Sequence, residues 1–233
     1  MIFSAFGDAV TQLGDRRFIW VVLKSVMITM IALALTTLGI QWLIPDTLTL
    51  PWFGEVPWAG WILNRAVIVA MMAGSVFLMI PIASIVVGFF LEEVADAVED
   101  VHYSQDQAKN PIGLWAGFVE GTQFLAILLL VNIAALIPYL IAAPFGLTPL
   151  VFVLVNGILL GREYAQLVAM RHVGRQGAKA FRARNRGTIW LAGVLMAIPL
   201  LVPVLNLVIP VLGVATYTHL FHRLQQTETF VTR

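Results

Sequence analysis

The chain has 233 residues, 60% hydrophobic and 12% charged, with a net charge of +1 at pH 7 and a mean hydropathy of +0.89. A soluble domain is about half apolar and about a quarter charged, so the composition excludes that class and implies an integral membrane protein. The near-neutral charge gives no global attraction to nucleic acid, and the lack of cysteine excludes disulfides, thiolate metal sites and cysteine nucleophiles.

In chain order, Phe3, Asp8 and Asp15 interrupt the start, so no cleavable signal peptide is expected. Residues 18–44 then form a 27-residue apolar run broken only by Lys24 and Gln41. A span needs about 20 residues, and Trp20 and Trp42 suit its two interfaces. Residues 45–60 hold Asp46, Glu55 and three prolines but no Lys or Arg; Trp52 and Trp58 place this segment along the far interface. Residues 61–91 predict a second long span, with Arg65 near its start and Pro81 inside. The helix is expected to leave the membrane intact, because Val94, Ala97, Val98 and Val101 continue a three-four spacing.

Two proline-broken hairpins follow, over about 114–160 and 188–221. Pro138, Pro144 and Gly146 cluster in the middle of the first, and Pro199, Pro203, Asn206 and Pro210 in the second. Neither tip carries the charged residues of a turn that emerges into water. The arm 124–137 is about 21 Å long at 1.5 Å per residue, short of a hydrocarbon core of about 30 Å. Four full spans and two half-penetrating hairpins are both compatible with these residues, the second requiring that irregular backbone be covered by protein or line a polar cavity.

Between the hairpins lies a basic loop, 162–187, with Arg162, Arg171, Arg175, Lys179, Arg182, Arg184 and Arg186, half of the chain's 14 Lys and Arg residues. The positive-inside rule makes this loop cytoplasmic, and both termini with it. The whole of 1–233 reads as a single membrane domain.

Candidate sites are sparse. Gly14, Asp15, Arg16 and Arg17 open the first span. Free N–H groups and two guanidiniums there suit an oxyanion, while the plainer reading has Asp15 capping its own helix and the arginines setting topology. Glu92 is a candidate partner for either arginine. Asn132, Asn156 and Asn206 lie in apolar surroundings, where helix–helix hydrogen bonding is the default and lining a polar path the sharper alternative for Asn132 and Asn206. Glu120 and Gln123 mark an interface entry. His219 and His222 sit three apart, with no complementary ligand spacing elsewhere, so no metal is expected. Phosphate-loop, zinc-protease and serine-hydrolase motifs are absent, and neither an enzyme nor a cofactor is expected.

Three stretches resemble the CysZ family of bacterial inner-membrane sulfate permeases. They are Gly14-Asp15-Arg16-Arg17-Phe18, Gly88-Phe89-Phe90-Leu91-Glu92, and Pro203-Val204-Leu205-Asn206-Leu207 followed by Pro210. Their order and spacing also agree with the family, although Asp15 and Leu13 stand where it usually carries an apolar residue and a proline. The resemblance implies an all-α fold of two long transmembrane helices and two half-penetrating hairpins. It further implies homo-oligomers in the bacterial inner membrane, taking up sulfate, or sulfite and related oxyanions, for cysteine biosynthesis. Sulfate binding would fall to Gly14, Asp15, Arg16 and Arg17, with Glu92 as arginine partner. The alternative class is a non-transporting membrane scaffold or regulator.

Overall fold

The computed structural model describes residues 1–43, 48–50, 54–108 and 114–231. Its helices are α1 (Ile2–Thr11), α2 (Arg16–Leu43), α3 (Pro57–Gly88), α4 (Leu91–His102), α5 (Leu114–Ala142), α6 (Thr148–Arg184), α7 (Arg186–Ala197) and α8 (Ile209–Val231). Among the described residues, Arg16–Trp42, Val119–Phe145 and Thr148–Arg184 are long and apolar enough to cross a membrane. The fold is therefore that of an all-α integral membrane protein.

Helix α2 shows how the membrane arms and the core divide the chain. Phe18, Val21, Ser25 and Thr29 are buried, one stripe at helical spacing. Beyond them Met30, Ile31, Leu35, Leu38 and Trp42 are exposed, an apolar surface suited to hydrocarbon. Helix α5 is barer still, with Leu130, Ile133, Ile137 and Leu140 all exposed. Ser25 and Thr29 turn their hydroxyls back onto the carbonyls of Val21 and Ser25 at 2.8 Å, which satisfies these buried polar groups within the helix.

The core forms where α1, the start of α2, α4, α6, α7 and α8 meet. Helix α8 runs through its centre: all twelve residues of 211–222 are buried, including the polar Thr216, Thr218, His219 and His222. Around it, Ala5 and Ala9 of α1, Val94, Ala97 and Val98 of α4, and Val168 and Ala169 of α6 are buried.

Several elements differ from the sequence reading. Pro138 lies inside α5, which continues to Ala142; the arm is then 29 residues, about 43 Å, and is not too short to cross. A backbone at membrane depth has no water to turn to, so the helix persists through one missing N–H. The chain reverses only after the 3-10 turn Ala143–Phe145, at Gly146 with φ 69°. Helix α7, by contrast, has 12 residues, about 18 Å, and is too short to span. The expected continuation of α3 breaks at Phe89 and Phe90, and Val101 is 62% exposed, so only Val94, Ala97 and Val98 keep the predicted stripe. The segment 162–187, expected as a loop, is helical to Arg184. Between α2 and α3 lie two antiparallel strands, β1 (Leu48–Leu50) and β2 (Gly54–Val56), paired Leu48 to Val56 and Leu50 to Gly54. Asp46, Trp52 and Asn110 lie outside the described residues.

Helices α6 and α7 approach closely because glycine leaves room for backbone against backbone. A Cβ on Gly193 would lie 2.1 Å from the Gly157 carbonyl oxygen and 2.8 Å from the Gly161 nitrogen. Gly157 and Gly161, four apart on one face of α6, form the small-residue seam that membrane helices use for packing. Replacing Gly193 by Ala forces this contact apart, and overpacking costs about 1–3 kcal/mol. Gly193→Ala should lower the thermal unfolding temperature in detergent, whereas Gly121→Ala, with nothing within 4 Å of its Cβ, should not. Equal unfolding temperatures for wild type and Gly193→Ala would contradict the packing.

Candidate functional site

At the start of α2, a 3-10 turn over Gln12–Gly14 leads into Asp15, which is extended at φ −65° and ψ 136°. Asp15 Oδ1 accepts the Arg17 N–H at 2.8 Å, so it caps its own helix and occupies one of the free donors. Arg17 forms an ion pair with Asp100 of α4, two turns along that helix from half-buried Glu92. A second link joins the same helices, Lys24 to Glu93 at 3.1 Å. Arg16 is exposed and makes no ion pair among the described residues.

A stronger concentration of positive charge comes from α6. Gly174 sits at φ 67° and ψ 179°, a conformation open essentially to glycine alone. It divides α6 into arms 148–173 and 175–184. The second arm folds back along the first, as shown by the 2.7 Å bond from Arg182 Nε to Gln166 Oε1 across sixteen residues. Arg175, Lys179 and Arg182 then share one face at helical spacing. With Arg162 of the first arm, Gln123 of α5 and Ala183, they line a cavity of about 590 Å³.

Opposing charge there is limited. Glu120 of α5 pairs with Arg175 at 2.6 Å and accepts from Gln166 at 3.1 Å, so one carboxylate braces Arg175 directly and Arg182 through the Gln166 amide. Arg162 and Lys179 make no ion pair among the described residues. Clustered cations around a concave, partly apolar wall focus the field and attract anions, and guanidiniums match oxyanion geometry.

Asn132 donates to the Leu128 carbonyl of its own helix at 2.8 Å, as Asn156 does to Phe152 at 2.9 Å. Asn206 is half-buried in the 3-10 segment Pro203–Leu207. None of the three lines the cationic cavity.

A second polar group is buried in the core. Glu99 of α4 is 1% exposed and receives His172 Nε2 at 3.0 Å, Arg171 Nη1 at 3.3 Å and the Ala108 N–H at 3.0 Å. Burial pushes its carboxyl up, but the His172 bond, the Ala108 N–H and the Arg171 charge together hold it below the ordinary carboxylate range. Arg171 also pairs with Asp96. His222 Nδ1 faces Asp106 at 3.3 Å, and burial, then His172, keeps this imidazole below its usual range. His219 is elsewhere engaged, with Tyr103 at 2.9 Å and Gln12 at 3.2 Å.

Sequence reasoning treated 162–187 as a topology signal and missed the cavity. The available signal was a pair of glycines, at 174 and 177, interleaved with bases at 175, 179 and 182. The Glu99, His172 and His222 cluster left no local signal, since its members lie 50 or more residues apart.

Fold and site together define a membrane protein with a cationic cavity built between the two arms of α6 and α5. The chain belongs to the family described as Sulfate transporter CysZ/Etoposide-induced protein 2.4, whose profile matches residues 5–210. Comparison with curated proteins gives no match.

The cavity depends on the reversal at Gly174. An alanine there cannot hold this backbone without a strain of about 1–3 kcal/mol. Gly174→Ala should therefore lower the unfolding temperature and weaken any anion binding at the cavity, measured by isothermal titration with sulfate. Unchanged stability and binding would contradict the assigned role of the reversal.

Proposed function

We propose that the protein is a sulfate permease or channel of the bacterial inner membrane, supplying sulfate for cysteine biosynthesis. The observation that carries this reading is the cavity lined by Arg162, Arg175, Lys179 and Arg182. Family membership supports it, although the family description joins a sulfate transporter with an etoposide-induced protein.

In this reading the anion is held in the cavity by Arg162, Lys179 and Arg182, while Glu120 restrains Arg175. Related oxyanions such as sulfite compete for the same donors. Gly14, Asp15, Arg16 and Arg17 form a second station near Glu92, weakened because Asp15 and Asp100 already engage part of its donor set. The half-buried Asn206 and the α5 residue Asn132 lie along the route. Both termini and the basic arm of α6 face the cytoplasm by the positive-inside rule. Helix α7, too short to span, is the outward arm of a half-penetrating hairpin, and the exposed apolar faces of α2 and α5 meet lipid or a second copy of the chain.

The alternative is a non-transporting scaffold or regulator. It is favoured by the structural use of Asp15 and Arg17: Asp15 caps the helix and Arg17 is bound to Asp100.

Sulfate flux into proteoliposomes separates the two. Each lost charge-assisted contact costs about 1.5–3 kcal/mol, so the cavity variant Arg162→Gln should cut flux at sub-saturating sulfate by roughly ten- to a hundredfold. Arg16→Ala/Arg17→Ala should reduce it less. Absence of wild-type flux would favour the scaffold, and full flux in the cavity variant would remove the cavity from the path.

A further inference from the structure

Helices α4, α6 and α8 each send one ligating side chain to a common point in the core. Glu99, His172 and His222 place one ligand atom each within 4.8 Å of one another. Glu99 and His222 are buried, 1% and 2% exposed, and His172 is half-buried with its side chain 8% exposed.

The orientation of His222 makes the cluster more than a buried polar contact. Its Nδ1 faces Asp106 Oδ2 at 3.3 Å, while its Nε2 is buried with no hydrogen-bond partner among the described residues. A carboxylate that accepts a hydrogen bond from Nδ1–H fixes the tautomer with a lone pair on Nε2, which is how outer carboxylates orient metal-binding histidines. That lone pair is desolvated without compensation. The rings are also held in place: Tyr103 stacks on His222 at 3.9 Å, and Phe221 on His172 at 4.6 Å.

We propose that Glu99, His172 and His222 bind a divalent transition-metal ion of the zinc class. Two imidazoles and one carboxylate select such an ion over magnesium or calcium, which prefer all-oxygen sets. Metal–ligand bonds of about 2.0–2.2 Å draw the three side chains slightly together. On binding, His172 moves its proton from Nε2 to Nδ1 and gives up its hydrogen bond to Glu99. Arg171, now also on Glu99, keeps Asp96 as its second partner, so its charge can move off the metal-bearing oxygen. An ion there ties three core helices together and requires nothing of the anion cavity.

The test uses full-length, tag-free protein in detergent, stripped with chelator and titrated with zinc chloride. The site predicts one zinc per chain and a rise in unfolding temperature of about 5 °C or more at saturation. Magnesium chloride should give no rise. His172→Gln and His222→Gln should each abolish the zinc effect, and His219→Gln should preserve it. Should the variants not fold, cobalt(II) added to wild type decides: a visible ligand-field band supports the site. Absence of that band, or a zinc shift that persists in the His172→Gln/His222→Gln double variant, overturns it.

Discussion

The close approach of α6 and α7 at Gly157, Gly161 and Gly193 is the contact on which the rest of the architecture depends. With a Cβ position on Gly193 only 2.1 Å from a carbonyl oxygen, backbone meets backbone and no side chain can intervene. That approach places α7 against α6 and lets the Tyr217 hydroxyl of α8 reach the Ile189 carbonyl at 2.6 Å. It also leaves α8 enclosed on all sides. The membrane arms α2 and α5 contribute little to this core and expose their apolar surfaces instead, which makes lipid part of the fold's stability.

Electrostatics follow from the same helix. α6 leaves the packed seam and reverses at Gly174, so its basic residues are folded onto one another instead of being spread along a solvated rod. Four cations around one cavity repel each other. Among the described residues Glu120, directly or through Gln166, is in place to relieve that repulsion. The residual positive potential is the physical basis for assigning an anion to this place. The start of α2 is the weaker candidate for a stated reason: its cap and its partner helix already use the donors that an anion would need.

Much of the fold was legible in the sequence. Composition and the run 18–44 give a membrane protein and its first span, and Asp15 caps the helix that Arg16 begins. Pro138 misled, because a proline marks a turn in water but is carried inside a helix where the backbone has no solvent to satisfy it. The β1–β2 pairing was hidden by the three prolines around it. The seam at Gly157, Gly161 and Gly193 and the reversal at Gly174 depend on long-range approach, which no local pattern encodes. The Glu99, His172 and His222 cluster is the extreme case, assembled from three helices far apart in the chain.

In the proposed function the anion rests in the α6 cavity and not at the start of α2. Selenate, isosteric with sulfate and visible by anomalous scattering, locates it directly in a crystal of the protein. A selenium peak among Arg162, Lys179 and Arg182 is the predicted result. A peak at Gly14 to Arg17 with the cavity empty would contradict it.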